Sequence, residues 1–361
     1  MAWKVWLVVV AGGCGGGGSS SALDAAGDAP VVDASPDALV ITANRAFVTS
    51  TTTPIGSLGS LANADAICAT RASAAGLPGT YRAWLSTTTV DAASRLAGAR
   101  GWVRVDGRPF TDTVAALTSS GRVWYPLRLD EFGNDVGSAP VATATGPMGT
   151  RSTSNSGTCN DFTSTTGTFV AGRPDAGTSS FTEGIVSAPC ANAYRLYCFQ
   201  VDLDVPVEPA AVGRFAFIAG WTTGGGIATA DAACQATAVN AGRTGTFRAL
   251  IGTSTASAVS RFSAGAPWVR YDGVAIAPTA SQLLAGLIDA PILKTAIGGT
   301  LGDYVTTGGT LDQPSTMSCA DWTATTGTSV RGHSEYSGPY AWTNGPAISC
   351  SLAGSIYCLE E

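Results

Sequence analysis

The sequence predicts an α+β protein in which two disulfide-bonded domains follow one another. Whole phrases recur along the chain: GTYRA at 79–83 returns as GTFRA at 245–249, and WVRVDG at 102–107 as WVRYDG at 268–273. Cysteines recur with them, with the spacing C-x30-C-x7-C at Cys159, Cys190, Cys198 and again at Cys319, Cys350, Cys358. The composition, with 45 Gly in 361 residues and only 13% charged side chains, is that of a loop-rich exported protein rather than a helical cytosolic one.

The chain begins MAWKVWLVVVAGGC. One basic residue, an apolar run over Val5–Val10 and small residues before Cys14 predict a lipoprotein signal at 1–13, with Cys14 taking the lipid. Two features depart from the usual pattern: Lys4 is the lone basic residue, and Ala11 stands where Leu is common. An ordinary cleaved secretory signal is the competing reading. Residues 14–42 follow as a flexible tether. Gly, Ser, Pro and the spaced Asp24, Asp28, Asp33 and Asp37 cannot bury a core, and those acids serve to keep the segment solvated.

Domain one is placed at 43–201 and domain two at 213–361, joined by a semi-stiff linker at 202–212 that holds two prolines and three acids. Residues 64–107 align with 230–273 at an offset of 166, and CNDFTSTTGT at 159–168 with CADWTATTGT at 319–328 at an offset of 160. So long a period means whole domains rather than a solenoid. Each copy opens with a strand, RAFVTS (45–50) or RFAFIAG (214–220). A helix follows, at 61–76 or 228–242, ending at Gly76 or Gly242. TYRAWLS then reads as a strand with Tyr81, Ala83 and Leu85 on one face and Arg82 and Trp84 on the other. YRLYCFQ (194–200) and SIYCLEE (355–361) read as closing strands that pair with the opening ones. Arg82 and Arg248 are expected to pair with Asp65 and Asp231. With Cys14 set aside, eight cysteines remain, four per domain, and spacing alone leaves three pairings open in each.

The phrases ADAIC…ASAAGLPGTYRAWLST, PCANAYRLYC and SCSLAGSIYC resemble the two ends of the endostatin domain of basement-membrane collagens; similar repeats occur in bacterial surface lipoproteins of unassigned function. The resemblance implies a C-type lectin-like fold in each domain. It also implies the pairing Cys68–Cys198 and Cys159–Cys190 in domain one, and Cys234–Cys358 and Cys319–Cys350 in domain two. A bridge closing most of a domain restricts the unfolded chain strongly, by about 4–5 kcal/mol in the chain-entropy picture.

A lectin-like fold raises calcium-dependent sugar binding, which needs several oxygen ligands held together. The residues before Cys190 (IVSAP) and Cys350 (GPAIS) carry no carboxylate, and DQPS at 312–315 is only distantly similar to the sugar-binding loop motif. No cofactor is expected. The one metal candidate is calcium at Asp130, Glu131, Asn134 and Asp135 in RLDEFGND, against the simpler reading of a solvated acidic loop. The single histidine, His333, does not make the zinc site known in some endostatin domains, and with no histidine in domain one no Ser–His or Cys–His pair forms there. A net charge of -6, with Lys only at 4 and 294, argues against nucleic acid as a partner.

The copies diverge most between Gly107 and Cys159 and between Gly273 and Cys319. Loops on a rigid scaffold are where recognition usually sits. Trp124, Tyr125 and Arg128 are the ligand-binding candidates, with Tyr336, Tyr340 and Trp342 in domain two; the alternative is that these rings fill loop cores. The expectation is a non-enzymatic adhesion or binding lipoprotein, anchored by lipid to a bacterial outer membrane or cell surface, with a glycan or an extracellular matrix-like protein as partner. The alternatives are a structural surface module without a small ligand and, behind it, a glycan-acting enzyme.

Overall fold

Each repeat is organised around the strand carrying its last cysteine. The computed structural model describes residues 42–120, 123–154, 157–315, 317–344, 347–352 and 354–361; the signal, Cys14 and nearly all of the tether lie outside the described residues. The described fold is mixed α+β, with few helices and several sheets. Residues 41–361 form one compact unit, within which each repeat builds its own main sheet.

In repeat one the main strands, besides the short Thr53–Pro54 that pairs with the closing strand, are β1 (Asn44–Val48), β2 (Tyr81–Ala83), β3 (Trp102–Arg104), β4 (Pro109–Thr111), β5 (Val141–Ala142), β6 (Thr168–Gly172), β7 (Ile185–Pro189) and β8 (Ala193–Gln200). They run in the order β4-β3-β1-β8-β5-β6-β7, with β2 also on β8. The opening and closing strands pair antiparallel, Phe47 against Cys198, as the sequence predicts. Repeat two repeats the plan with β9 (Arg214–Trp221), β10 (Phe247–Ala249), β11 (Trp268–Val269), β12 (Tyr304–Thr306), β13 (Arg331–His333) and β14 (Gly354–Glu360). There Phe217 faces Cys358, so Phe47 and Phe217 are equivalent.

The main helices are α1 (Leu61–Ala74) and α2 (Val114–Ser120) in repeat one, α3 (Ile227–Asn240) and α4 (Ala280–Leu284) in repeat two. Ser60 caps α1 by accepting from the Asn63 N–H. Gly76 and Gly242, at φ 68° and 70°, end α1 and α3 in the left-handed conformation. The Leu77 N–H returns to the Ala72 carbonyl and the Arg243 N–H to that of Ala238, which satisfies carbonyls the helix end would otherwise orphan.

The sheets are buried on both faces. Phe47, Tyr81, Ala83, Leu85 and Cys198 face α1, whereas Ala46, Val48, Trp84, Trp102, Phe110, Tyr197 and Phe199 face the long loops. The two faces of the TYRAWLS segment divide as the alternation predicts, and Trp84, opposite Tyr81 and Leu85, is 1% exposed and packs on Phe181 and Phe199. Period two alternates the faces of the strand, yet both faces meet a core.

The four disulfides are Cys68–Cys198, Cys159–Cys190, Cys234–Cys358 and Cys319–Cys350. The first and third clamp helix to closing strand. The other two hold an unusual turn. Cys159, Asn160, Asp161 and Phe162 all have positive φ, as do Cys319, Ala320, Asp321 and Trp322, a conformation that costs L-residues about 1–2 kcal/mol each. The bridge, a fully buried Phe162 or Trp322, and a carboxylate staple hold it in place. Asp161 accepts from the Thr88 N–H and hydroxyl and from Thr158; Asp321 accepts from the Ser254 N–H and hydroxyl and from Ser318.

Candidate functional site

The variable loop of repeat one turns toward repeat two. Trp124 and Tyr125 are 7% and 5% exposed and cluster with Val274 and Ala290, and the Tyr125 hydroxyl accepts the Ala275 N–H. They are therefore not exposed ligand contacts but part of the junction between repeats. Burial pushes the Tyr125 phenol above its ordinary range, against the lowering effect of that N–H. Beside them the buried Arg104 reaches Asp106 at 2.5 Å and Asp289 of repeat two at 3.0 Å, and Arg108 also pairs with Asp289. Burial works against the Arg104 charge, but Asp106 and Asp289 outweigh it and hold the guanidinium protonated.

Arg128 lies in the same junction. Its guanidinium donates to the Ile288 carbonyl at 3.3 Å and the Ser337 hydroxyl at 3.1 Å, and pairs with Asp135. The rest of the predicted metal cluster is likewise committed. Asp130, 5% exposed, accepts from the Phe132 and Asn134 N–H groups at 2.9 Å and from the Asn134 side chain at 3.2 Å. Glu131 is buried, accepts from Arg71 and receives the Ser50 N–H at 2.8 Å. This corrects the expected solvated acidic loop: Asp130 and Glu131 are buried, the first hydrogen-bonded within the loop and the second paired with Arg71. Among the described residues no group of three or more His, Cys, Asp or Glu is arranged to hold a metal.

Tyr336 is 9% exposed and packs into the core of repeat one, with the Arg173 guanidinium 4.4 Å from its ring centre and 4.2 Å from that of Tyr340. Glu335 accepts from Thr178 and from Ser180, and the Ser337 N–H donates to the Asp175 carbonyl at 2.8 Å. His333 lies between Tyr304 and Tyr336, and burial lowers its pKa. Of the two predicted strand pairs, Arg82–Asp65 forms at 2.7 Å. Arg248 instead meets Glu361, and Asp231 meets Arg261, the counterpart of Arg95, which also reaches Asp65.

One concavity opens between Arg128 of the first variable loop and the segments 285–288, 310–312 and 338–343 of repeat two. It has a volume of about 370 Å³ and is walled by Leu287, Leu311, Pro339 and Trp342, with Arg128, Thr310, Asp312 and Thr343 supplying polar groups. Trp342 is buried, and its indole N–H has no hydrogen-bond partner. Leu287, at 40%, and Asp312 are exposed at the rim. A mostly apolar hollow with a few polar groups is the common form of a small-ligand site. The sequence picks out Arg128 and Trp342 and sets aside Asp312 with DQPS, but misses Leu287, Leu311 and Thr343, since nothing in their local spacing marks them. It also misses Asp289. Aligning the two variable loops through Pro126 and Pro291 would have found it, because Asp289 falls opposite Trp124.

Among the described residues no helix is long and apolar enough to cross a membrane. Comparison with protein-family models and with curated proteins finds no match for the chain.

Proposed function

We propose that the chain is a non-enzymatic binding protein whose ligand, a glycan or part of an extracellular matrix-like protein, seats in the hollow between Leu287, Leu311, Pro339 and Trp342. In this reading the two repeats are endostatin-like domains of C-type lectin-like fold, exported and held to a membrane by a lipid on Cys14. The observation that carries the binding role is the hollow itself. It combines apolar and aromatic walls with the Arg128 guanidinium, the Asp312 carboxylate and the side chains of Thr310 and Thr343. A sugar ring offers both an apolar face and hydroxyls, so such a mixture suits it. Four disulfides and a double-sided core support an exported protein, since oxidising compartments are where such bridges persist.

The test is an array of glycans and matrix proteins probed with the full-length chain, its disulfides formed, with calcium and then with chelator. Binding that survives chelator and falls at least tenfold in a Leu287→Arg variant is the expected result, because the arginine would obstruct the rim without touching the core. Binding lost on chelation would move the site to a metal-assisted one. Intact-mass analysis of the membrane fraction checks the anchor: a diacylglyceryl adduct at Cys14 is expected, and a free or absent Cys14 refutes that part.

A further inference from the structure

The two repeats differ sharply at one equivalent place. In repeat one the notch between β1, α1 and the loop after Leu129 is filled by the chain's own side chains: Arg71 and Ser50 both bind Glu131, and Phe132 lies over the Arg71 guanidinium at 5.5 Å. The backbone of that loop recurs in repeat two. Asp130 N–H to Asn134 O becomes Thr295 N–H to Gly299 O, and Val48 N–H to Leu129 O becomes Ile218 N–H to Lys294 O. This register, with the helix offset of 166 and the strand pairing at Phe47 and Phe217, sets Arg71 opposite Thr237, Ser50 opposite Gly220, Glu131 opposite Ala296 and Asp130 opposite Thr295. Every charge in the notch is replaced by a neutral, mostly smaller residue.

What results is a concavity of about 410 Å³ bounded by these residues together with Ile218 and Ile297. A Cβ built on Gly220 meets nothing within 4 Å, so the space extends up to the strand backbone. Ile297 is 74% exposed at the rim, and Thr237 and Asn240 supply its polar edge.

We infer that this notch of repeat two is a second ligand site, distinct from the hollow beside Arg128. It takes a small, neutral, mainly apolar molecule carrying one hydrogen-bonding group, which meets Thr237 or Asn240. None of its described lining residues is charged, so an ionic ligand would find no counter-charge among them. The size and apolar walls match a ring or short branched chain.

The experiment uses benzyl alcohol as the probe and the full-length, disulfide-bonded chain, read by backbone amide shifts in NMR. Saturable millimolar binding that shifts Gly220, Thr237 and Ala296 is expected. A Thr237→Arg/Ala296→Glu/Gly220→Ser variant restores the filling of repeat one and should weaken binding at least tenfold. The single Ala296→Leu variant, which fills the notch without new charge, should do the same, and unchanged melting temperatures show that either variant is folded. The inference is overturned if the probe shifts none of these amides in the parent chain, or if it binds a folded, filled variant as well as the parent.

Discussion

At the scale of single residues, carboxylates do much of the holding. The hydrogen bond from the Ser254 N–H, then that of its hydroxyl, draws the Asp321 carboxyl below the ordinary value. Because the folded value lies below the unfolded one of about 3.9, this contribution is complete above that value and is lost as pH falls through the folded one. Asp321→Asn should therefore cost about 1 kcal/mol at pH 7, and its difference from the parent should shrink below about pH 4; denaturant titrations at both pH values check this, and a difference independent of pH would contradict it. Asp289 does a different task. Asp289→Ala leaves the buried Arg104 with Asp106 alone and Arg108 without its closest acid, which should lower stability by about 1–3 kcal/mol. Thermal unfolding measures that loss. The pair Arg82–Asp65 was legible because both members recur near one another in sequence. Arg248–Asp231 was not: Arg261 takes the aspartate just as Arg95 does in repeat one, but Arg248 meets Glu361, whose counterpart in repeat one is Val201.

At the scale of elements, the sequence was most informative where a pattern is local. Helices ending at a left-handed glycine, and opening and closing strands that pair through a cysteine, follow from short-range chemistry. What covers the Trp84 face was not legible, because alternation tells which side a strand residue faces, not what packs on that side. The left-handed turns at Cys159 and Cys319 were invisible for a related reason: their stability comes from Thr88 and Ser254, far away in the chain. The bridges should differ in worth. Cys68–Cys198 spans 130 residues and Cys159–Cys190 spans 31, so replacing the first pair by serine should cost about 1 kcal/mol more in the chain-entropy picture. Chemical denaturation of the two double variants decides it, and equal losses would show that native packing rather than loop closure sets the contribution.

At the scale of the whole molecule, the divergence of the two variable loops has a physical cause besides recognition. Equivalent positions meet across the junction: Tyr125 packs on Val274 and Ala290, while Arg104 and Arg108 take Asp289. A surface that touches its own near-copy favours complementary rather than identical residues, so an aromatic and basic set on one side meets a small and acidic set on the other. Divergence alone therefore could not distinguish a ligand surface from a docking surface, and three of the candidates, Trp124, Tyr125 and Arg128, belong chiefly to docking. Only Arg128 also borders the hollow that repeat two supplies. The measurement that tests this account most directly is binding of the full-length chain to the glycan and matrix array, with Leu287→Arg as its partner variant. The account predicts a specific hit that the rim arginine weakens at least tenfold while the melting temperature stays put. A hit indifferent to Leu287→Arg, or a clean blank with well-folded protein, would contradict it and leave the paired repeats as a structural surface module.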